Sequence, residues 1–183
     1  MAGFAGHDGD MTSESQNEQA ERADLIDALA THRNFLRRTV RDLTREQATQ
    51  RTTVSELCLG GLIKHTARME ERWDNFIEQG PTAIGAADAA AYETHAASFR
   101  VADDETLADL LAHYDKVARR TEDLVTTLPS LDVSHPLPPA PWFAPGARWS
   151  ARRVLLHILA ETAQHAGHAD IVRESLDGAK TMG

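Results

Sequence analysis

Hydrophobic side chains recur every three to four positions along most of the chain, which is the spacing of an amphipathic helix. Four long segments carry this pattern, over residues 18–43, 55–79, 104–128 and 151–176. Ser150 stands directly before the last segment as a predicted N-cap. No alternating strand pattern interrupts the four, so the sequence predicts an all-α fold, a four-helix bundle.

The segments between the long helices also carry local signals. Ser55 is the predicted N-cap of the second helix, and the pair Gly80-Pro81 is expected to end it. The alanine-rich segment 83–99 predicts a short additional helix. Six of the seven prolines fall in residues 129–150, between helices three and four, so no helix continues there. A loop of that length in a compact domain is often functional.

Length and composition suit a single domain. The chain has 183 residues and 42% hydrophobic content, and we expect a flexible N-terminal tail over 1–15, followed by one bundle domain over 16–183. The N-terminus lacks the basic and apolar regions of a signal peptide, and no apolar run is long enough to cross a membrane. Cys58 is the only cysteine, which excludes an internal disulfide. These features predict a cytoplasmic protein.

Charge narrows the range of partners. The formal net charge is −9 and the isoelectric point is about 5.4, so the composition favours neither nucleic acid nor an anionic membrane surface as a partner. The sequence leaves the oligomeric state open, a homodimer included.

The candidate chemistry lies on the last predicted helix. At 100° per residue, four proton-binding side chains fall within about 80° of one another around that helix: His157, Glu161, His165 and His168. Leucine, isoleucine and valine side chains flank this stripe. Because polar groups are costly to bury unless they are paired or bind a metal, the stripe is a candidate site.

Three of the candidate residues form a plausible set of metal ligands. Glu161 and His165 stand at i and i+4, so both can reach one ion, and His65 lies on the second helix behind two glycines that permit close approach. Two imidazoles and one carboxylate would leave a coordination position open, as in a catalytic rather than a structural site. The alternative is that Glu161 forms a surface ion pair and His165 is an ordinary core histidine.

Other polar and aromatic residues have two interpretations each. We expect His168 and His157 to support the ligands by hydrogen bonding or packing rather than to bind the metal. Arg173 belongs to a charged cluster at the end of the last helix, where it forms ion pairs or holds an anionic group of a cofactor or substrate. Trp142 and Phe143 either pin the proline-rich loop or close the site. The remaining histidines show no helical spacing to the ligands.

Two motifs carry a family resemblance. The stretches "LGGLIKHTARMEERW" and "WSARRVLLHILAETAQHAGHADIVRESLDG" resemble the DinB-like superfamily of four-helix metalloproteins, in its actinobacterial branch. The resemblance implies one divalent metal ion, zinc or nickel, held by His65, Glu161 and His165. The Arg-Gly-Gln that usually follows the last ligand is here Ala166-Gly167-His168, so no role is inferred for that glutamine.

The resemblance also implies a reaction. Glu161 at the first ligand position of the last helix resembles the mycothiol-dependent enzymes of the family. The implied function is an S-transferase or isomerase that uses mycothiol, a low-molecular-weight thiol, together with an electrophilic substrate. The alternatives are a metal-dependent hydrolase and a non-enzymatic, stress-related bundle whose metal is structural.

Overall fold

Helices make up most of the computed structural model, which describes residues 8–181. Within that range they are α1 (Asp8–Arg38), α2 (Arg45–Thr49), α3 (Leu59–Gln79), α4 (Ala89–Ser98), α5 (Leu107–Thr127) and α6 (Ala151–Asp177). The long helices α1, α3, α5 and α6 pack around a common core, each against two neighbours, in the cyclic order α1, α5, α3, α6. The predicted all-α four-helix bundle is confirmed. None of the described helices is both long and apolar enough to span a membrane.

The N-terminal boundary differs from the sequence pattern. Helix α1 begins at Asp8, so the tail expected over 1–15 is helical in its second half. The residues before Asp8, and the last two residues of the predicted domain, lie outside the described range. The flexibility of the tail stays a prediction.

Side-chain N-caps start α5 and α6 but not α3. The Ser150 hydroxyl accepts a hydrogen bond from the Arg153 N–H, which confirms Ser150 as the N-cap of α6. The prediction that Ser55 caps α3 is wrong. Its hydroxyl accepts a local bond from the Leu57 N–H instead, and the helix begins only at Leu59.

The proline-rich loop contains a short hairpin that the sequence pattern did not predict. Strands β1 (Ser134–Pro136) and β2 (Arg148–Ser150) pair antiparallel, with Ser134 opposite Ser150. Three residues are too few to show an alternating pattern, so this element could be found only from the structure. The hairpin leads directly into α6.

A polar layer divides the core of the bundle into two apolar clusters. One cluster includes Leu29, Phe76 and Ile158, and the other includes Leu36 and Leu62. The layer between them contains buried polar side chains from all four long helices: Arg33, Thr66, Glu70, Asp74, Tyr114, Thr121 and Thr162. Such a layer is stable only if its charges are paired.

Hydrogen bonds in this layer determine where a proton sits. The Arg33 guanidinium forms a buried ion pair with Glu70 and a second bond to Glu122 at 3.1 Å. The Thr121 hydroxyl contacts the Glu70 carboxylate and lies 2.9 Å from the Asp74 carboxyl. Burial and the charge of Glu70 raise the pKa of Asp74 to about 8. Asp74 is therefore protonated at neutral pH and donates to Thr121, which donates to Glu70.

A glycine brings α3 against the end of α4. A Cβ added at Gly61 would lie 2.0 Å from the carbonyl oxygen of Phe99, far inside any permitted contact, whereas one at Gly60 would come no closer than 3.1 Å to the side chain of Val101. The predicted close approach at the two glycines is thus required at Gly61. It places the end of α4 beside the first turn of α3.

The protonated state of Asp74 predicts how stability depends on pH. Because the folded pKa lies above the ordinary value of 3.8, the folded protein keeps a proton that the unfolded chain releases, and stability is lost as pH rises from about 4 to about 8. Asp74→Asn keeps the donor to Thr121 without the charge. At pH 9 it should be more stable than the wild type by more than about 1 kcal/mol in urea unfolding.

The control for this comparison is Asp115→Asn, which removes a half-exposed carboxylate that pairs with Arg37 at the surface. It should leave the slope of stability against pH between 4 and 8 unchanged. An Asp74→Asn protein less stable than the wild type at every pH would contradict the assignment of the proton.

The contact at Gly61 predicts unequal effects of two neighbouring substitutions. Gly61→Ala forces apart two backbone segments and should lower the free energy of unfolding by about 3 kcal/mol. Gly60→Ala is tight only against the Val101 side chain, since the Ala48 carbonyl oxygen lies at an ordinary contact distance of 3.4 Å. Alanine is also the better helix former, so the effect of this substitution should stay within about 1 kcal/mol. Urea unfolding measures both, and equal effects would contradict the close approach.

Candidate metal centre

The neighbouring helices α3 and α6 bring the three predicted ligands together. His65 lies in the second turn of α3, and Glu161 and His165 lie one turn apart in the middle of α6. Each side chain offers one ligand atom, and these atoms all lie within 4.8 Å of one another. The two imidazole rings are 4.9 Å apart between centroids and nearly perpendicular. His65 precedes the other two residues by 96 and 100 positions in the chain, and the fold brings all three into one cluster.

Hydrogen bonds fix the orientation of His65. Its Nδ1 lies 2.8 Å from the Ser98 hydroxyl oxygen, and that hydroxyl donates its hydrogen to the carbonyl of His95 at 2.5 Å. Because a carbonyl only accepts, Ser98 must accept the hydrogen on Nδ1 of His65. The Nε2 lone pair is then free. Phe99 stacks on the same ring at 3.7 Å and holds its plane.

Burial and a neighbouring histidine determine the charges of two side chains in the cluster. Burial lowers the pKa of His65 to about 3, with a further contribution from the neighbouring rings of His165 and His95. The Nε2 of His165 lies 3.6 Å from the Glu161 carboxylate, and this polar contact lowers the pKa of Glu161. At neutral pH the cluster therefore presents a neutral His65 and an ionised Glu161.

The two histidines predicted to support the ligands lie beside the cluster. His157 packs edge to face against the two stacked tryptophan rings, at 4.9 Å from Trp73 and 5.1 Å from Trp149, and burial lowers its pKa. His168 lies 5.6 Å from His165 between ring centroids, and its Nδ1 is buried without a hydrogen-bond partner. Neither joins the convergent set of ligand atoms.

Arg173 lies near the end of α6 and forms the ion pair that was one of its two expected roles, and its binding of a cofactor or substrate group stays a prediction. Its guanidinium donates to the carbonyl groups of Thr39 and Arg41, both at 2.9 Å, and pairs with Asp177 at 2.9 Å. These contacts use its donors to join the end of α1 to α6. It lines neither of the cavities found beside the cluster.

The cluster opens into an inner cavity of about 300 Å³. His65 and Glu161 form part of its wall, and polar side chains of α3 and α4 complete it, including Arg68, Arg72 and His95. Arg68, Arg72 and His95 were not identified from the sequence as part of the site. Arg68 and Arg72 follow His65 at i+3 and i+7, so this spacing could have identified them. Helix α4 has no apolar periodicity that would show which of its sides faces the bundle.

The proline-rich loop reaches the same end of the bundle. Trp149, in β2, stacks on Trp73 with 4.9 Å between centroids, and Phe143 packs against Trp149 at 5.6 Å. Phe143 thus pins the loop, which was one of its two predicted roles. Phe143 and Trp142 also line a second cavity, the outer cavity, which shares Arg72, Trp73 and His95 with the inner one.

Comparisons with known proteins agree with this architecture. A family model described as mycothiol-S-transferase matches residues 24–178. A solved structure, described as a conserved protein from Enterococcus faecalis, is similar with a TM-score of 0.61 over 85% of this chain and 96% of that one. At 15% sequence identity, that similarity concerns the fold alone. No curated protein matches the sequence.

Proposed function

Because the chain belongs to the mycothiol-S-transferase family, a DinB-like family, we propose that it joins mycothiol to a small electrophile with the help of one divalent metal ion. The family supports the thiol and the transfer reaction. The cluster of His65, Glu161 and His165 supports the metal, and it is the observation on which the proposal depends.

The donor set of the cluster fits zinc or nickel. Two imidazoles and one carboxylate suit these ions, whereas magnesium and calcium prefer oxygen ligands alone. His65 is neutral, and Ser98 leaves its Nε2 free to coordinate. Among the described residues Glu161 has no lysine or arginine partner, so its charge is available to a cation.

Three protein ligands would leave room for a fourth from outside the protein. His157 and His168 lie next to the cluster without joining it, so the described residues do not close the coordination sphere. An open position next to a cavity is typical of catalytic rather than structural sites. When bound, the metal would lower the pKa of a coordinated thiol, so that its sulfur is a thiolate at neutral pH.

The residues of the chain would bind, orient and shield the reactants. Arg68 and Arg72 bring positive charge to the inner cavity, which favours a thiolate and a departing anion. The stacked rings of Trp73 and Trp149 form an apolar wall beside the cluster, next to His157, and limit access of water. Ser98 holds His65 in the tautomer that the site requires.

The reaction balances without an oxidant or reductant. The thiol loses its proton to solvent, and the sulfur electron pair forms a bond to carbon of the electrophile. The bond from that carbon to its leaving group breaks, and the group departs as an anion with the electron pair. The family description favours this transfer over isomerisation.

Removal of one ligand should remove the metal. Elemental analysis should find about one zinc or nickel ion per wild-type chain and less than about a tenth of that in His165→Ala, because two ligands bind far more weakly than three. Ser98→Ala keeps all three ligands but leaves His65 free to rotate. Its metal affinity should fall by about 10- to 100-fold.

The matched control for the metal measurement is His113→Ala, which removes a partly exposed histidine of α5 whose Nε2 lies 3.7 Å from the Glu71 carboxylate. It should bind metal as the wild type does. Full occupancy in a folded His165→Ala protein would show that the ion is held elsewhere.

The transfer reaction can be tested with mycothiol and 2-chloroacetamide. Mass spectrometry should detect the thioether forming faster with the wild-type protein than without it, and at least about 100-fold more slowly with His65→Ala. Glutathione and the sulfur-methylated form of mycothiol serve as controls for the thiol. Hydrolysis of simple esters or amides without thiol, and no thioether, would favour the hydrolase instead.

A further inference from the structure

The outer cavity takes no part in the proposed binding of the thiol and the metal ion. It has a volume of about 260 Å³ and lies between α4, the turn after α3 and the proline-rich loop. Arg72, Trp73 and His95 line both cavities, so the two are neighbours. His95 also lies 5.2 Å from His65 between ring centroids. A molecule in the outer cavity can therefore extend a reacting atom towards the cluster.

The two cavities differ in chemistry. Most side chains around the inner cavity are those of arginine, histidine, serine, threonine and glutamate, with Trp73 and Met69 beside them, and this polar majority suits a molecule with many hydroxyl groups. The outer cavity is lined mainly by alanine, proline, isoleucine and aromatic side chains. Besides Arg72, His95 and the hydroxyl of Tyr92, its side chains offer little hydrogen bonding, so a polyol would lose contacts with water there without replacement.

Two large aromatic side chains stand exposed at the mouth of the outer cavity. Tyr92 of α4 is 54% exposed, and Trp142 of the proline-rich loop is 58% exposed. Their rings contact edge to face at 6.1 Å across the two segments. A single exposed aromatic residue needs no explanation, but a contacting pair at the rim of an apolar cavity is typical of a ligand site.

We propose that the outer cavity binds the apolar part of the second substrate, an aromatic or aliphatic electrophile, while the inner cavity holds the polar thiol. This inference rests on the proposed function and names its substrate class. A cavity of about 150 Å³ holds one benzene molecule, so the outer cavity has room for a substituted ring. The reacting carbon would lie at the shared wall, next to His95 and Arg72.

The experiment compares two electrophiles that share one reacting group. In 2-chloroacetamide and N-benzyl-2-chloroacetamide the thiolate sulfur displaces chloride from the same kind of carbon, and only the second carries a ring. After correction for the uncatalysed rates, kcat/KM of the wild type should be at least about tenfold higher for the benzyl compound, since the ring gains apolar burial.

Two variants alter the outer cavity in opposite ways. Ala91→Phe fills it from α4, and Trp142→Ala removes part of its rim, so both should bring the ratio of the two kcat/KM values close to one. Ile171→Ala, which shortens an exposed apolar side chain of α6 outside both cavities, should keep the wild-type ratio. An equal rate for both compounds with the wild type, or a ratio unchanged in Ala91→Phe, would overturn the inference.

A binding measurement separates this inference from the proposed function. N-benzylacetamide has no leaving group, and its binding to the wild type and to Ala91→Phe can be followed by tryptophan fluorescence and calorimetry. If the wild type conjugates neither electrophile, the proposed function is wrong. The apolar site is then supported only if N-benzylacetamide binds to the wild type and not to Ala91→Phe, and it is contradicted if the compound binds to neither protein.

Discussion

The buried ion pair between Arg33 and Glu70 is the interaction on which the rest of the bundle depends. Both side chains lie inside the core, and the loss of either would leave an uncompensated charge there, at a cost of about 3–5 kcal/mol. Burial and the charge of Glu70 disfavour a further ionised carboxylate in this layer, so Asp74 keeps its proton. Each helix therefore has one rotation about its axis, and one position along that axis, at which these side chains can pair.

The same constraint orients the candidate site. Thr66, Glu70 and Asp74 recur every four residues on α3 and face the polar layer, whereas His65 and Met69 line the inner cavity. Because one helix carries both sets, pairing Glu70 with α1 fixes the direction in which His65 points. The core thus holds the candidate ligands of α3 and α6 in place, which would reduce the entropy lost if they bind an ion.

The sequence was sufficient for the parts of the structure that repeat or lie close together along the chain. Helical periodicity located the four long helices, and the i and i+4 spacing identified Glu161 and His165. It could not locate Ser98 or His95, because α4 is short and alanine-rich and no pattern fixes which of its sides meets the bundle. The contacts of Arg173 with backbone carbonyl groups depend on where α1 ends, and this too is a property of the folded chain.

Helix α4 buries only Ser98 among its ten residues, yet it supplies a wall of both cavities and the acceptor for His65. Local unfolding of this helix exposes little apolar surface, so it costs much less free energy than unfolding of the bundle. Undocking of α4 would open both cavities to solvent and release the His65 ring in a single event. Access to the site and the preorganisation of its ligand are in this way coupled through one weakly held helix.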